Sequence, residues 1–72
     1  MRGNYFYKRI GQQIVSERKR KKFSQEQLAL LSDIDRTYLA RIEEGKADPS
    51  IKILYKIART LKVKIYDLLH GV

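Results

Sequence analysis

An all-α domain of five helices is what this sequence predicts, and three observations carry the prediction. Apolar residues recur three and four apart, as in Ile10 and Ile14 or Leu54, Ile57, Ala58 and Leu61, which sets them on one helical face. No segment alternates apolar and polar residues as a half-buried strand does. Residues that start helices (Ser24, Asp35 and Ser50) stand directly ahead of the periodic stretches.

The first helix is expected from about Tyr5 to Arg20, with Lys21, Lys22 and Phe23 leaving it. Ser24 and Gln27, three apart, form a capping box that opens a second helix burying Leu28 and Leu31. Ser32, Asp33 and Ile34 make a turn. Asp35 caps a third helix whose Leu39 and Ile42 face inward, and Gly45 ends it. After a loop from Lys46 to Pro49, Ser50 caps a fourth helix with Ile51, Leu54, Ile57, Ala58 and Leu61 on its buried side. A short fifth helix spans about Ile65 to Leu69 and closes at Gly71, but Lys64 stands where Ser or Asp would cap better.

Composition narrows the class. Seventy-two residues at 43% hydrophobic support one domain with a single modest core. Without cysteine there is no disulfide or thiolate metal site, and His70 alone cannot hold a metal. No apolar run approaches the roughly 20 residues of a membrane span, and the N-terminus has no secretory stretch, so a cytoplasmic location is the expectation. Net charge of +8 and a pI near 10.0 favour a polyanionic partner. The distribution is uneven. Residues 1 to 22 carry eight Lys/Arg against Glu17, a net +7, and residues 51 to 72 carry five against Asp67, a net +4. Residues 23 to 50 have three cations against six acids, a net −3.

That acidic segment nevertheless holds the layout of a DNA reader. Residues 24 to 44 give two short helices joined by a tight turn, the second opening with Arg36, Thr37 and Tyr38. Around it stand Arg18, Ser24-Gln25-Glu26-Gln27-Leu28-Ala29, Ile42-Glu43-Glu44-Gly45-Lys46 and Pro49-Ser50. At this mutual spacing the chain resembles the phage-repressor-like (Cro/C1, or XRE-type) helix-turn-helix domains over about residues 10 to 70. Within them it looks most like the controller proteins of restriction-modification systems. The resemblance implies a compact lambda-repressor-like domain over residues 1 to 72 that dimerises through residues 62 to 72. Three positions depart from the family pattern: Asp33 and Lys22 stand where glycine is usual, and the fifth helix lacks its usual cap.

Roles follow residue by residue. The resemblance implies that Gln25 holds a phosphate, and an N-terminal turn with unpaired N–H donors suits that role. Arg36 and Thr37, in the first turn of the recognition helix, can reach base edges: Arg pairs with guanine, Thr with a base edge or a thymine methyl. Ala40 allows close approach, and Arg41 reaches either a base or the backbone. Tyr38 has two readings, core aromatic or phosphate donor. Lys46 and Lys22 are candidate phosphate contacts. Arg18 and Glu43 form the structural ion pair the family places between the first and third helices. Asp35 is a cap, while Asp33 and Asp48 belong to turns. Tyr5, Phe6 and Tyr7 are expected to pack on the fifth helix or a partner subunit. Ile65, Tyr66, Leu69 and Val72 are the candidate dimer surface.

The expected function is sequence-specific binding of double-stranded DNA by a homodimeric transcriptional regulator, a repressor or autoregulator on an inverted-repeat operator. An antitoxin or adaptor that uses the fold to hold a protein is the alternative. No catalytic residues, cofactor or metal is expected, because no catalytic or metal-ligand cluster survives the structural assignments, and no small-molecule ligand is expected of a single domain.

Overall fold

In the computed structural model, residues 2–70 are described, with side chains from Tyr5 onward. They form α1 (Arg2–Arg20), α2 (Gln25–Ser32), α3 (Arg36–Glu43), α4 (Ile51–Leu61) and α5 (Ile65–Leu69), with no strand among them. The first helix therefore starts three residues ahead of the expected Tyr5. Gly71 and Val72 lie outside the described residues.

The caps act as their chemistry dictates. Ser24 Oγ accepts from the Gln27 N–H at 3.0 Å while Gln27 Oε1 accepts from the Ser24 N–H at 2.8 Å. Asp35 Oδ2 and Ser50 Oγ each accept from the N–H three residues on, at 3.2 Å. At α5 only half a box forms: the Asp67 carboxylate accepts from the Lys64 N–H at 2.9 Å, but an ammonium group has no acceptor to return.

The first four helices end in one way. Lys22, Asp33, Gly45 and Lys62 adopt left-handed backbone, with φ of 64°, 57°, 76° and 59°. The N–H of the next residue then reaches back five positions, from Phe23 to Arg18, Ile34 to Ala29, Lys46 to Arg41 and Val63 to Ala58, at 2.8–3.0 Å. This is the Schellman closure, and only α3 has glycine for it. After α1, α2 and α4 the following residue (Phe23, Ile34, Val63) is apolar and packs against the core.

Helix α1 lies against α3, α4 and α5, while α2 packs on α3 and α4, closing a core of Ile10, Ile14, Leu28, Ala29, Leu39, Ile42, Leu54, Ile57, Ala58, Leu61 and Leu68. Gly11 lets α1 approach α3 closely, since a Cβ there would stand 2.5 Å from the Ile42 and Glu43 carbonyl oxygens.

Two expected core positions are exposed. Leu31 is 60% exposed because α2 turns Leu28, Ala29 and Ser32 inward, and Leu31 falls about 100° from the middle of that stripe. Ser32 belongs to the helix, not the turn, and its buried hydroxyl bonds Thr60 Oγ1 at 2.9 Å. Ile51, 67% exposed, sits at the first position of α4, beyond the layer that α1 and α2 cover. Tyr5 and Phe6 are also exposed, whereas Tyr7 packs against the core and meets Phe6 edge-on at 5.6 Å.

A left-handed lysine carries a Cβ penalty that glycine lacks, partly offset by glycine's larger loss of backbone entropy. Lys62→Gly should therefore stabilise the fold by about 0.5–1 kcal/mol, read as a higher urea midpoint at unchanged slope.

Candidate nucleic-acid interface

The start of α2 and the start of α3 open on the same face. Arg36 and Thr37 are exposed, Ala40 is half-buried, and the three line a shallow open pocket together with Gln25. The placement follows from the caps: Asp35 fixes where α3 begins, so its first turn carries Arg36 and Thr37 outward while Leu39 and Ile42 go inward. Arg36 makes no side-chain ion pair among the described residues.

Beneath this face lies a charged fork. Arg18 Nε donates to Glu43 Oε2 at 2.8 Å and Arg18 Nη2 to Glu43 Oε1 at 3.1 Å. A third donor, Arg18 Nη1, reaches the Phe23 carbonyl at 3.1 Å. The side chains are only 13% and 5% exposed. Gln25 joins the same cluster, its Nε2 donating to Glu43 Oε1 at 2.9 Å. The sequence gives no local signal for that bond, which spans 18 positions. It fixes the amide with nitrogen toward the carboxylate and leaves the second N–H of that nitrogen for an external acceptor.

The other candidates divide. Arg41 is exposed, and its Nη2 donates to the Lys46 carbonyl at 2.9 Å, so it lies along the α3–α4 loop and not beside Arg36. Tyr38 is half-buried and packs against the core. Lys46 is exposed, with Nζ 3.8 Å from Glu44 Oε1, and shares a surface hollow with Lys8 and Gly45. Lys8 was not singled out from the sequence, since it comes from α1 and reaches this loop only through the α1–α3 packing. Lys22 is exposed at its left-handed position, between the end of α1 and the Phe23 carbonyl that Arg18 bonds. On α5, Tyr66 is 67% exposed and Ile65 and Leu69 are half-buried, while Leu68 takes the core position. Val72 lies outside the described residues.

The acids of the middle segment are largely committed. Glu43 sits in the fork and Asp35 caps α3. Asp33 lies 3.9 Å from Lys56 and Glu44 faces Lys46. Asp48 lies by Tyr7, whose hydroxyl it pushes above the ordinary tyrosine range, first by hydrogen bonding, then with burial and the carboxylate charge. Among the described residues no group of three His, Asp or Glu is arranged to hold a metal, and no helix is long and apolar enough to cross a membrane.

The helix-turn-helix family model HTH_3 matches residues 14–68. The chain belongs to this family. The transcriptional regulator SlrR of Bacillus subtilis is 42% identical over 60 residues, covering 82% of this chain and 40% of that protein. This chain thus spans about two fifths of SlrR. The control protein C.MunI of a Mycoplasma species is 39% identical over 61 residues, covering 83% of this chain and 82% of its own. Among solved structures, the restriction-modification controller protein C.AhdI of Aeromonas hydrophila superposes with a TM-score of 0.84 at 34% identity, covering 86% of this chain and 94% of that one. The XRE-type resemblance and the all-helical class agree with these matches.

Breaking the fork from one side strands a desolvated charge. Arg18→Met or Glu43→Leu alone should cost about 3–5 kcal/mol, and the double substitution distinctly less than the two together. Urea unfolding of the three variants measures both quantities.

Proposed function

We propose that this HTH_3 protein is a sequence-specific transcriptional regulator that binds double-stranded DNA as a homodimer on an inverted repeat. The observation that carries the proposal is the shared open face of Arg36, Thr37, Ala40 and Gln25, with Asp35 and Glu43 turned to structural work beneath it. On this reading the first turn of α3 enters the major groove. Arg36 addresses a guanine and Thr37 a neighbouring base, with Ala40 allowing close approach to a thymine methyl. Gln25 donates its remaining N–H to a phosphate, supported by the N-terminal dipole of α2. Lys46 and Lys22 add phosphate contacts, and the Tyr38 hydroxyl is a further donor.

The mechanism involves no bond chemistry. The protein occupies an operator and thereby blocks or recruits polymerase. The likeness to C.MunI and C.AhdI favours a controller role, with the protein regulating its own operon. One domain of this size contacts few bases, and a two-fold pair reading half-sites about 34 Å apart doubles the information. Tyr66, Ile65 and Leu69 supply the apolar surface for that pairing.

Selection of bound duplexes from a random DNA pool tests the reading. The parent is expected to enrich an inverted repeat, and the Arg36→Ala/Thr37→Ala variant to lose it. Enrichment of no motif, or equal salt-sensitive binding by both proteins, would sink the assignment. Dimerisation has its own test. Tyr66→Asp places a charge in the proposed contact, so sedimentation should shift toward monomer and operator binding fall at least about tenfold with helical content retained. An unchanged sedimentation profile would rule that surface out.

A further inference from the structure

Three of the four Schellman closures are anchored by an apolar residue on the core, and the fourth is not. After α3 the corresponding residue is Lys46, which is exposed. What holds the chain there is a reciprocal pair. The Lys46 N–H donates to the Arg41 carbonyl at 2.8 Å, and Arg41 Nη2 donates to the Lys46 carbonyl at 2.9 Å. Arg41 thereby does for α3 what Phe23, Ile34 and Val63 do for the other helices. The loop is confined from the other side as well: a Cβ on Gly45 would stand 2.7 Å from the Lys8 Cα, so the turn presses directly on α1.

We infer that Arg41 is a positioning residue for the α3–α4 loop, not a base reader, and that base reading falls to Arg36, Thr37 and Ala40. The inference rests on the DNA-binding reading above. An arginine one and a half turns along a recognition helix invites assignment to a base. To reach one, however, Arg41 must release the Lys46 carbonyl, which no other side chain bonds among the described residues, at a point of the loop whose own side chain turns outward, ahead of the core-packed Ala47. Kept in place, the guanidinium fixes the backbone from which the Lys46 ammonium extends. That ammonium is only loosely paired with Glu44 at 3.8 Å and can move to a phosphate. Arg36 is placed differently, exposed on the open pocket with no ion pair to give up among the described residues.

The two roles separate experimentally, because a lost base contact alters sequence preference while a lost phosphate contact weakens binding uniformly. Random-duplex selection and salt titration would be run on the parent, Arg41→Met, Lys46→Met and the double variant. Arg41→Met is expected to enrich the parent's motif at every position. The salt slope should fall by about 1 in each single variant and no further in the double. A changed base preference in Arg41→Met, or additive losses in the double, would overturn the inference. A parent that enriches no motif is a different failure, that of the DNA reading itself. Amide exchange at Lys46 probes the clamp without DNA: it should quicken at least about fivefold in Arg41→Met, and unchanged exchange overturns the positioning role.

Discussion

The mutual placement of α1, α2 and α3 depends on one ion pair. Arg18 and Glu43 join the end of α1 to the end of α3, and the third bond of the guanidinium fixes the Phe23 carbonyl just ahead of α2. Helix α3 has only eight residues, too few to hold its orientation by propensity. Its apolar grip is limited to Leu39 and Ile42, with Tyr38 and Ile34 at the margin. A bidentate fork supplies directional restraint that apolar contacts lack. Burying the two charges carries a desolvation cost, so the fork is better understood as setting geometry than as adding net stability. Gly11 makes the arrangement feasible, since it lets α1 come within reach of the α3 carbonyls.

Because Gln25 shares Glu43 with Arg18, the same carboxylate orients the first residue of α2 relative to α3. The start of α2 is thus held against the end of α3 by a charged hydrogen bond. Caps determine where each helix begins, and the fork determines how the two face one another. The α3–α4 loop has a further hold of its own in the Arg41 bond to the Lys46 carbonyl.

What the sequence could and could not reveal follows from the range of each interaction. Helix existence and the caps at Ser24, Asp35 and Ser50 are local, and all were legible. The left-handed positions at Lys22 and Asp33 were foreseeable as places where a family pattern expects glycine, but nothing marks Lys62 except that α4 must end there. Periodicity failed on α2, where four consecutive hydrophobic residues, Leu28 to Leu31, compete over eight residues and Ser32, tied to Thr60, takes an inward position instead of Leu31. It failed at Ile51 because a helix face runs on past the core that covers it. The fork joins residues 25 apart and was accessible only through resemblance. The bonds from Gln25 to Glu43 and from Arg41 to Lys46 were not legible, since each needs the orientation of a side chain on the folded surface.

Segment charge misleads in this chain for a related reason. The middle third is net acidic, yet five of its six acids, all but Glu26, are placed as caps, ion-pair partners and turn residues, and charged groups act over about 10 Å of space in 0.1 M salt, not along the sequence. Helix α1 brings two of its cations to the end of α3 and the loop that follows it. Arg18 neutralises Glu43 from beneath, and Lys8 stands beside Lys46 and Gly45 at the rim. The strongly basic run from Arg18 to Lys22 contributes unequally, for Arg18 is consumed by the fork and Arg20 pairs with Glu17 at 2.7 Å. A count by segment assigns the positive charge to α1 and places α3 in an acidic region. The fold packs the two helices against each other, so a count by segment does not describe the charge around α3.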